Sequence, residues 1–371
     1  WRRVRLAGTV SFACAAAIAG VLLLTRGGTR SGAAAAEESD TILAPAASEV
    51  VGLFAAASEP FTCAKYGCLD VRSPTHPCQC SRFCVKDGTC CPDYQATCAK
   101  LTPATNARLG RWAGCKGAVA PPPRPAIFNY VPRGLPLRVK LMSYNPEWWH
   151  TIEQMGGNGN GPAKIVMAAE HPVPLDFIGF QEFYDPWFGF TRPGPDASAI
   201  LRSFTFLRGE VGGPVGTIIG FKHDAWSLIT RGQQFVAEDK PGPLDFGKRI
   251  VLWARFTHRT TGKTVFVANH HGPLPLNTGG LCGCATTASN LLRTIAYNAQ
   301  PGDAVFLMGD FNADTHSGTI GWLSKYLRGS FDNIDHIFHN LPPQAVLART
   351  PYGTGGSDHC AISLTVNLPA R

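Results

Sequence analysis

Charged residues are scarce in this sequence of 371 residues: 16% are Asp, Glu, Lys or Arg, whereas 44% are apolar. This composition excludes a chain too polar to bury a core, and the length predicts two folded units with connecting segments. The net charge of +8 suggests nucleic-acid binding, but it is unevenly distributed. Residues 1–125 contain 14 Lys/Arg against 8 Asp/Glu, and residues 126–371 contain 20 against 18. The C-terminal two-thirds are therefore nearly neutral.

Two common binding signatures are also absent. The glycine-rich stretch GGNGNGP at residues 156–162 lacks the Gly-Lys-Ser/Thr ending of a phosphate-binding P-loop, so we interpret it as a connection. The segments on either side of it, WWHTIEQM and AKIVMAAEH, are interpreted as short helices. The cysteines include no paired C-x2-C pattern, which disfavours a zinc site.

An uncharged run of 19 residues near the N-terminus extends from Leu6 to Leu24, just long enough to span a bilayer. Three arginines precede it and two follow it, which favours a cytoplasmic N-terminus. We expect residues 1–25 to be a single-pass signal anchor that places the rest of the chain outside the cell or in the lumen. A cleaved signal peptide, and hence a secreted protein, is the alternative, because small residues follow in AAAAEES. Residues 26–61 are interpreted as a linker.

Eight of the 13 cysteines lie within residues 63–98, a density typical of oxidising compartments. Because so short a segment buries little apolar area, disulfides are expected to stabilise it. The spacing and the CPDYQATC ending resemble the somatomedin B domain. The resemblance covers residues 62–99 and implies a disulfide-knotted module with a protein partner, whose connectivity the spacing leaves open. The eight are Cys63, Cys68, Cys78, Cys80, Cys84, Cys90, Cys91 and Cys98.

A second linker is predicted at residues 100–134, where successive prolines keep the chain extended. From Leu137 apolar and polar residues alternate, which indicates a half-buried strand. Many strands with few intervening helices favour an α+β sandwich rich in antiparallel pairs. Further strands are predicted at DFIGFQ, GTIIGF, RIVLWARF, KTVFVAN, AVFLMGD and CAISLTV.

Five short polar motifs occur in the C-terminal two-thirds of the chain. The first four each end a predicted strand, and the last follows a glycine-rich loop. Carboxylates, amides and imidazoles gathered at strand ends are the groups that a metal-assisted hydrolase needs, and core packing alone does not explain five such motifs. They are Ser143-Tyr144-Asn145, Gln181-Glu182, Asn269-His270-His271, Gly309-Asp310-Phe311-Asn312 and Ser357-Asp358-His359.

The order of these motifs, with Asn333-Ile334-Asp335 before the last, resembles the DNase I-like endonuclease/exonuclease/phosphatase superfamily. GDFNAD and GSDHCAISL are its most specific segments, and a catalytic domain is accordingly predicted at residues 135–371. The resemblance implies a four-layer αββα sandwich that cleaves phosphoester bonds with a divalent cation, usually Mg²⁺ and alternatively Mn²⁺ or Ca²⁺.

Oxygen-bearing side chains in the motifs are the predicted metal ligands. A hard cation such as Mg²⁺ prefers oxygen, and one or two carboxylates with an amide suffice to hold it. We predict Glu182 as the first ligand, with Asn145 beside it and Asp358 as a second carboxylate. Glu147 is a further candidate, because its side chain would point the same way as that of Asn145 if the strand continued past Pro146.

The remaining motif residues are the predicted catalytic groups. His359 is expected to be the general base, or alternatively an electrostatic partner of the scissile phosphate. The resemblance implies that Asp335 orients the His359 ring. Asp310 is expected to position or deprotonate the attacking water, and Asn312 to hold a phosphate oxygen.

Two adjacent histidines are candidates for a donor to the transition state. His271 aligns with the family's Asn-x-His and is preferred over His270, its neighbour on the opposite face of the strand. Histidines that match no motif are expected at the surface, namely His223, His258, His316 and His339.

The C-terminal cysteines are expected to form disulfides rather than a zinc site. Cys282 and Cys284 could pair with Cys115, with Cys360 or with each other, and no second pair accompanies them. A disulfide at Cys360, next to His359, would brace the catalytic strand.

We hypothesise a divalent-metal-dependent phosphodiesterase of nuclease type, secreted or anchored in a membrane. A sphingomyelinase-like lipid phosphodiesterase is the alternative, since anchoring would place it near its substrate and a nearly neutral catalytic half weakens the DNA hypothesis. The third hypothesis is a somatomedin B binding protein on an inactive hydrolase scaffold. The Trp-Cys-Asp-Arg signature of inositol polyphosphate 5-phosphatases is absent. Aromatic residues that could form an apolar rim for lipid are Trp148, Trp149, Trp187 and Phe188.

Overall fold

The computed structural model describes residues 62–63, 77–80, 84–98, 115, 125–154, 161–183, 186, 202–209 and 216–370. The predicted anchor at 1–25, the linker at 26–61 and Cys68 lie outside the described residues. Within the described ranges, no helix is both long enough and apolar enough to cross a bilayer.

The cysteine-rich segment contains two short helices, α1 (Cys84–Asp87) and α2 (Tyr94–Thr97). The buried cluster of its described residues consists of cysteines and Tyr94, so disulfides take the place of a large apolar core. Cys98 is also disulfide-bonded. The structure supplies connectivity that the spacing left open: Cys63–Cys80, Cys78–Cys91 and Cys84–Cys90.

The C-terminal domain is built mainly of strands. Their bounds, in chain order, are β1 Leu137–Tyr144, β2 Phe177–Phe180, β3 Phe204–Arg208, β4 Ile218–Lys222, β5 Trp226–Glu238, β6 Lys248–His258, β7 Thr264–His271, β8 Ala304–Asp310, β9 Arg328–Asp332, β10 Asp335–His339, β11 Val346–Pro351 and β12 Ile362–Leu368.

These strands form two six-stranded sheets, ordered β11-β12-β1-β2-β4-β3 and β5-β6-β7-β8-β10-β9. One pair in each sheet is parallel, β1 with β2 and β7 with β8. The other neighbouring pairs are antiparallel. The predicted α+β sandwich rich in antiparallel pairs is therefore confirmed.

Helices pack on the outer faces of the sheets. They are α3 (Pro162–Ala169), which begins with a proline as helix starts favour, α4 (Cys284–Asn298) and α5 (Gly318–Leu323). The predicted helices on either side of GGNGNGP are both present, the first as a π-helix at Trp149–Gln154. Short 3₁₀ turns occur at Pro125–Phe128, Gly280–Cys282 and Pro343–Ala345.

Three apolar layers account for the four-layer architecture. The middle layer lies between the sheets and includes Leu141 of β1 and Phe306 of β8. The second packs β7 against Leu291 of α4, and the third packs Met142 of β1 against Val166 of α3. Neighbouring residues of β1 thus face different layers, because side chains alternate across a strand. Burial on both faces explains why the central strands are nearly continuous apolar runs.

Several elements were not predicted from the sequence. The most prominent are β5, whose WSLITRGQQFVAE mixes polar and apolar residues at a sheet edge, and α4, which is rich in Ser, Thr and Asn. Both are stabilised by packing rather than by local pattern, because α4 covers the second sheet and contacts β5. Tertiary contacts commonly override propensity in this way.

The packed domain includes residues that were predicted to belong to the proline-rich linker. Ile127 and Phe128 are buried in the layer between the second sheet and α4. Asn340 Nδ2 donates to Ile127 O at 3.0 Å, and Tyr130 N donates to Asn340 O at 3.3 Å. Residues 125–130, predicted as linker, therefore belong to the packed domain ahead of the first strand.

Of the disulfides expected for Cys282 and Cys284, that of Cys282 is present, whereas the expectation is wrong for Cys284. Cys115 is disulfide-bonded to Cys282, Cys284 is a free thiol, and Cys360 is disulfide-bonded.

Two of the histidines that were expected at the surface are buried. His223 and His339 are 6% and 1% exposed, so that expectation is wrong for both. His339 ends β10, and its Nδ1 accepts a hydrogen bond from Leu341 N at 3.2 Å. His316 is exposed as expected, with 94% of its side chain accessible.

The core between the sheets generates a stability prediction. Leu364 of β12 is fully buried there, so Leu364→Ala is expected to lower the free energy of unfolding by about 2–5 kcal/mol. Leu347→Ala is the matched control: Leu347 lies on the neighbouring β11 and is 52% exposed, so we expect a change of about 0.5 kcal/mol or less. Chemical denaturation measures both, and equal losses would contradict this placement of the core.

Candidate active site

The strand ends that bear the polar motifs meet at one edge of the sandwich, which we call the polar edge. Since β1 and β2 are parallel, Asn145 and Glu182, which follow them, leave their sheet at this edge. In the second sheet β7 and β8 are parallel and pair His271 with Asp310. β10 runs antiparallel to β8 and begins at Asp335, directly opposite Asp310. The topology therefore gathers motifs that are far apart in the sequence.

The loop before β12 is attached to the end of β1. Ser357 Oγ donates to Asn145 O at 2.7 Å and accepts from His359 N at 3.0 Å. Ser357 thereby positions His359 at the polar edge. The sequence assigned no role to Ser357, although it belongs to the last motif.

A buried amide pair joins the two sheets beneath the site. Gln181 Nε2 donates to Asn269 Oδ1 at 2.7 Å. Asn269 Nδ2 in turn donates to Phe180 O at 2.7 Å and Ile218 O at 2.9 Å. Gln181 and Asn269 are fully buried, and hydrogen bonds in so dry a setting strongly favour one register of the sheets. This bridge holds the backbone that leads to Glu182, a role that the motifs alone did not indicate.

Asp310 lies at the centre of the site. It accepts hydrogen bonds from Asn145 Nδ2 at 3.1 Å and from Asn312 N at 2.8 Å. Its Oδ2 also lies 3.4 Å from His271 Nε2 and 3.6 Å from His359 Nε2. Burial acts to raise the pKa of Asp310, but His359, His271 and the hydrogen bonds from Asn312 and Asn145 together outweigh burial and hold this pKa below its usual value. Asp310 is therefore ionised at neutral pH.

His359 is paired with Asp335. Its Nδ1 donates to Asp335 Oδ2 at 2.8 Å, which confirms that these two side chains meet, and the other ring nitrogen faces Asp310. Burial acts to lower the pKa of His359, but Asp335 and Asp310 together raise it well above its usual value. The imidazole is accordingly held in its protonated, positively charged form.

A second cluster contains Glu182, His271 and Asp310, whose ligand atoms all lie within 4.8 Å of one another. His271 Nε2 is 3.5 Å from Glu182 Oε1. Burial, followed by the Asp310 carboxylate, raises the pKa of Glu182 to about 7. Burial, followed by Arg249, lowers the pKa of His271 to about 3, so this ring is neutral.

This cluster fits a divalent cation. The carboxylates of Glu182, which is largely buried, and Asp310, which is buried, oppose each other's ionisation at this separation, and a cation between them would relieve that repulsion. The Asn145 amide, which also hydrogen-bonds Glu182, adds to a donor set rich in oxygen, the kind that Mg²⁺, Mn²⁺ and Ca²⁺ accept.

The two other predicted metal ligands lie at the rim. β1 ends at Tyr144, before Pro146. The direction predicted for the Glu147 side chain required the strand to continue past Pro146, so that prediction is wrong. Glu147 has a φ of 47° and its Oε2 lies 3.2 Å from His150 Nδ1. The side chain of Asp358 is 70% exposed, with Oδ1 at 3.6 Å from His359 Nε2. Burial, followed by Asp358, raises the pKa of Glu147, so these two carboxylates influence each other.

The family model for endonucleases, exonucleases and phosphatases matches residues 155–359, more than half of the chain. The chain belongs to this family. The somatomedin B family model matches residues 61–101, so the predicted order of the two domains is confirmed. A comparison with curated proteins found no match.

Solved structures resemble the endonuclease/exonuclease/phosphatase domain in fold. A family member from Bacteroides thetaiotaomicron is 20% identical, covers 63% of this chain and 98% of its own, and has a TM-score of 0.48. A mannosyl-6-phosphatase from the same organism is 19% identical, covers 62% of this chain and 99% of its own, and has a TM-score of 0.46. D. rerio TDP2 in complex with a single-strand DNA product is 17% identical, covers 62% of this chain and 98% of its own, and has a TM-score of 0.44.

The endonuclease/exonuclease/phosphatase domain holds strained backbone at its polar edge. Glu182 and Asn312 have φ values of 49° and 48°, in the left-handed region that non-glycine residues rarely adopt. Such strain persists only where the surrounding structure enforces it, and it concentrates at functional sites. Gly309 precedes Asp310 with a φ of 151°, and a Cβ there would collide with the backbone carbonyl of His270. Glycine is thus required where β7 and β8 approach each other.

The Asp335–His359 pair predicts a measurable pKa change. Asp335→Asn removes the carboxylate that stabilises the imidazolium, so we expect the pKa of His359 to fall by about 1–3 units. NMR titration of the His359 ring, in EDTA to exclude metal, measures this shift. Asp314→Asn is the control, because Asp314 contacts His316 rather than His359. An unchanged His359 titration in Asp335→Asn would contradict the described pairing.

Proposed function

We propose that this protein is a divalent-metal-dependent phosphodiester hydrolase that acts outside the cell, either secreted or held at a membrane by its N-terminal segment. The observation that supports this most strongly is the junction of two clusters at Asp310, one with Glu182 and His271 and the other with Asp335 and His359. Membership of the endonuclease/exonuclease/phosphatase family supports phosphoester hydrolysis. The substrate, the metal and the location belong to the proposal.

Glu182 and Asn145 are the residues that we expect to hold Mg²⁺, with Mn²⁺ or Ca²⁺ as alternatives. When bound, the cation supplies charge neutralisation at the phosphoryl oxygens. Asp358 and Glu147 remain predicted ligands from the rim of the site.

Proton handling falls to the residues around Asp310. A general base must be unprotonated, and the raised pKa of His359 favours its alternative role as a positively charged partner of the scissile phosphate. Asp310, whose pKa is lowered, is then the group that orients the attacking water and accepts its proton.

Two further side chains are suited to the phosphate oxygens. Asn312 Nδ2 donates to Gly272 O at 2.9 Å, and an amide nitrogen carries a second hydrogen that can reach a ligand. His271 is neutral and can donate one hydrogen bond through Nε2. Both roles match those predicted from the motifs.

The competing hypothesis of an inactive scaffold is disfavoured by the site itself. A binding protein would need neither the buried carboxylate of Asp310 nor the strain at Glu182, because both cost stability. The somatomedin B domain supports an additional protein partner, which is compatible with catalysis.

We predict metal-dependent turnover of phosphodiesters by the full chain. Hydrolysis of bis(p-nitrophenyl) phosphate, plasmid DNA, RNA and sphingomyelin is measured with Mg²⁺ and with EDTA, which should abolish it. His359→Ala is expected to lower kcat by about 10²–10⁴-fold, because it removes the charged partner of the phosphate.

The control for this variant is His316→Ala. His316 is 94% exposed and lies outside both clusters, so its replacement should leave the rate unchanged. Folded protein that turns over none of these diesters would contradict the proposal. Phosphomonoesters would then be tested as substrates. Failure of those substrates as well would favour the binding-protein hypothesis.

Ionisation of Glu182 predicts a pH dependence of metal binding. Because a carboxylate ligand must lose its proton and the pKa of Glu182 is about 7, the apparent affinity for Mg²⁺ should fall up to about tenfold per pH unit below that value. Measuring activity as a function of Mg²⁺ concentration at about pH 6, 7 and 8 gives the apparent affinity for Mg²⁺ at each pH. Glu182→Gln should weaken binding at each pH and flatten the dependence, whereas a pH-independent wild-type affinity would rule out this ligand.

A further inference from the structure

Exposed large apolar side chains of the catalytic domain concentrate at the polar edge. Among the described residues from 125 onward, nine such side chains are exposed, and six of these lie at strand ends or on loops at this edge. Single exposed apolar residues need no explanation, whereas a group on one face marks an interaction site. The six are Trp149, Leu244, Phe246, Leu276, Leu281 and Phe331.

Four of the six lie on two neighbouring loops, which we call the docking loops: residues 239–247, between β5 and β6, and residues 272–283, between β7 and α4. Phe246 is 57% exposed and Leu276 is 52% exposed. The loops are joined, because Lys240 N donates to Leu274 O at 3.0 Å.

The bases of the docking loops are rigidly held. Asp239 is buried and forms an ion pair with Arg249, with Oδ2 at 2.8 Å from Nη2. Asp239 also accepts from Leu274 N at 2.8 Å and from Phe246 N at 3.0 Å. One carboxylate thus fixes both loops, and their exposed tips are presented in a defined position.

The second docking loop is also bonded directly to the candidate active site. Gly272 N donates to Asp310 O at 2.7 Å, and Asn277 N donates to Asn312 O at 2.8 Å. Leu276, which is more than half exposed, is therefore adjacent in sequence to a residue that contacts Asn312. Whatever covers these apolar tips lies beside the phosphodiester that the site would bind.

We propose that the docking loops rest on a lipid membrane and that the phosphodiester hydrolysed is the headgroup ester of a membrane phospholipid. This inference rests on the proposed function. A protein bound tightly at the polar edge would obstruct the site. A lipid surface instead offers phosphodiesters directly beside the acyl region into which apolar loop tips insert.

The charge of the molecule agrees with a lipid surface. Lys240 and Lys248 are exposed at the two ends of the first docking loop, where they suit phosphate headgroups. Asp239 is neutralised by Arg249, which leaves Asp245 as the opposing charge of that loop. The catalytic half as a whole holds 20 Lys/Arg against 18 Asp/Glu, a balance that favours short-range contact with headgroups over attraction to a long polyanion.

The reaction requires water alone as co-reactant. A water oxygen forms a bond to phosphorus and gives up a proton, and the P–O bond on the leaving side of the diester breaks. The leaving oxygen takes up a proton, so the products are a phosphomonoester and an alcohol. One of these keeps the acyl chains and stays in the membrane.

The test compares two double variants of the full chain. Phe246→Ser with Leu276→Ser alters the docking loops. Leu135→Ser with Leu347→Ser is the matched control, because these side chains are 67% and 52% exposed but lie away from the polar edge. Both variants keep the N-terminal apolar run, so membrane binding through that segment is common to them.

Turnover is measured with Mg²⁺ on vesicles of phosphatidylcholine and sphingomyelin and on soluble bis(p-nitrophenyl) phosphate. The ratio of vesicle lipid turnover to soluble diester turnover should fall about tenfold or more in the docking-loop variant, since two apolar contacts are lost. It should be unchanged in the control variant. Equal loss on both substrates, or no loss on either, would overturn the docking role.

A binding measurement separates this inference from the proposed function. Flotation of both variants with the same vesicles, in EDTA, should show weaker binding of the docking-loop variant whether or not any diester is hydrolysed. Soluble diester turnover without vesicle lipid turnover would refute the lipid substrate and leave the phosphodiesterase proposal intact. Self-association that the docking-loop variant abolishes, with vesicle binding unaffected, would instead identify a protein interface.

Discussion

The hydrogen bond between Asn145 and Asp310 depends on the packing of the two sheets against each other. These residues end strands of different sheets, and their side chains meet only because the two sheets pack face to face over a common apolar layer. The buried hydrogen bond from Gln181 to Asn269 also joins the two sheets, beneath the site. Polar groups buried this deeply are costly unless they are paired. The cross-sheet hydrogen bonds therefore specify one relative position of the sheets, and that position creates the site.

Burial also determines the electrostatics of the site. The same dry environment raises the pKa of Glu182 and lowers that of His271, while carboxylate neighbours keep His359 protonated. Opposite responses at adjacent groups give a charged imidazolium at His359, a neutral imidazole at His271 and a carboxyl group at Glu182 whose pKa is about 7. Such separation of protonation states is what general acid–base chemistry near neutral pH needs.

The two domains are stabilised by different interactions. The somatomedin B domain buries cysteines and uses disulfides, since a short chain cannot enclose a large core. The catalytic domain encloses three apolar layers and still leaves apolar side chains such as Phe246 and Leu276 in water. A chain able to bury so much apolar surface has no need to expose these tips for stability, so their position at the polar edge, on loops of which the second is hydrogen-bonded to Asp310 and Asn312, favours a role in function.

The sequence by itself determined which polar side chains form the candidate site and where most central strands lie, because runs such as AVFLMGD combine a buried strand with a site residue in one short segment. It did not determine α4, the rim position of Glu147, the pairing of Cys115 with Cys282 or the docking loops. These depend on contacts across great separations, 167 residues for that disulfide. Local pattern specifies which face of an element is apolar, whereas only packing decides which distant residue covers it and which side chains remain in water.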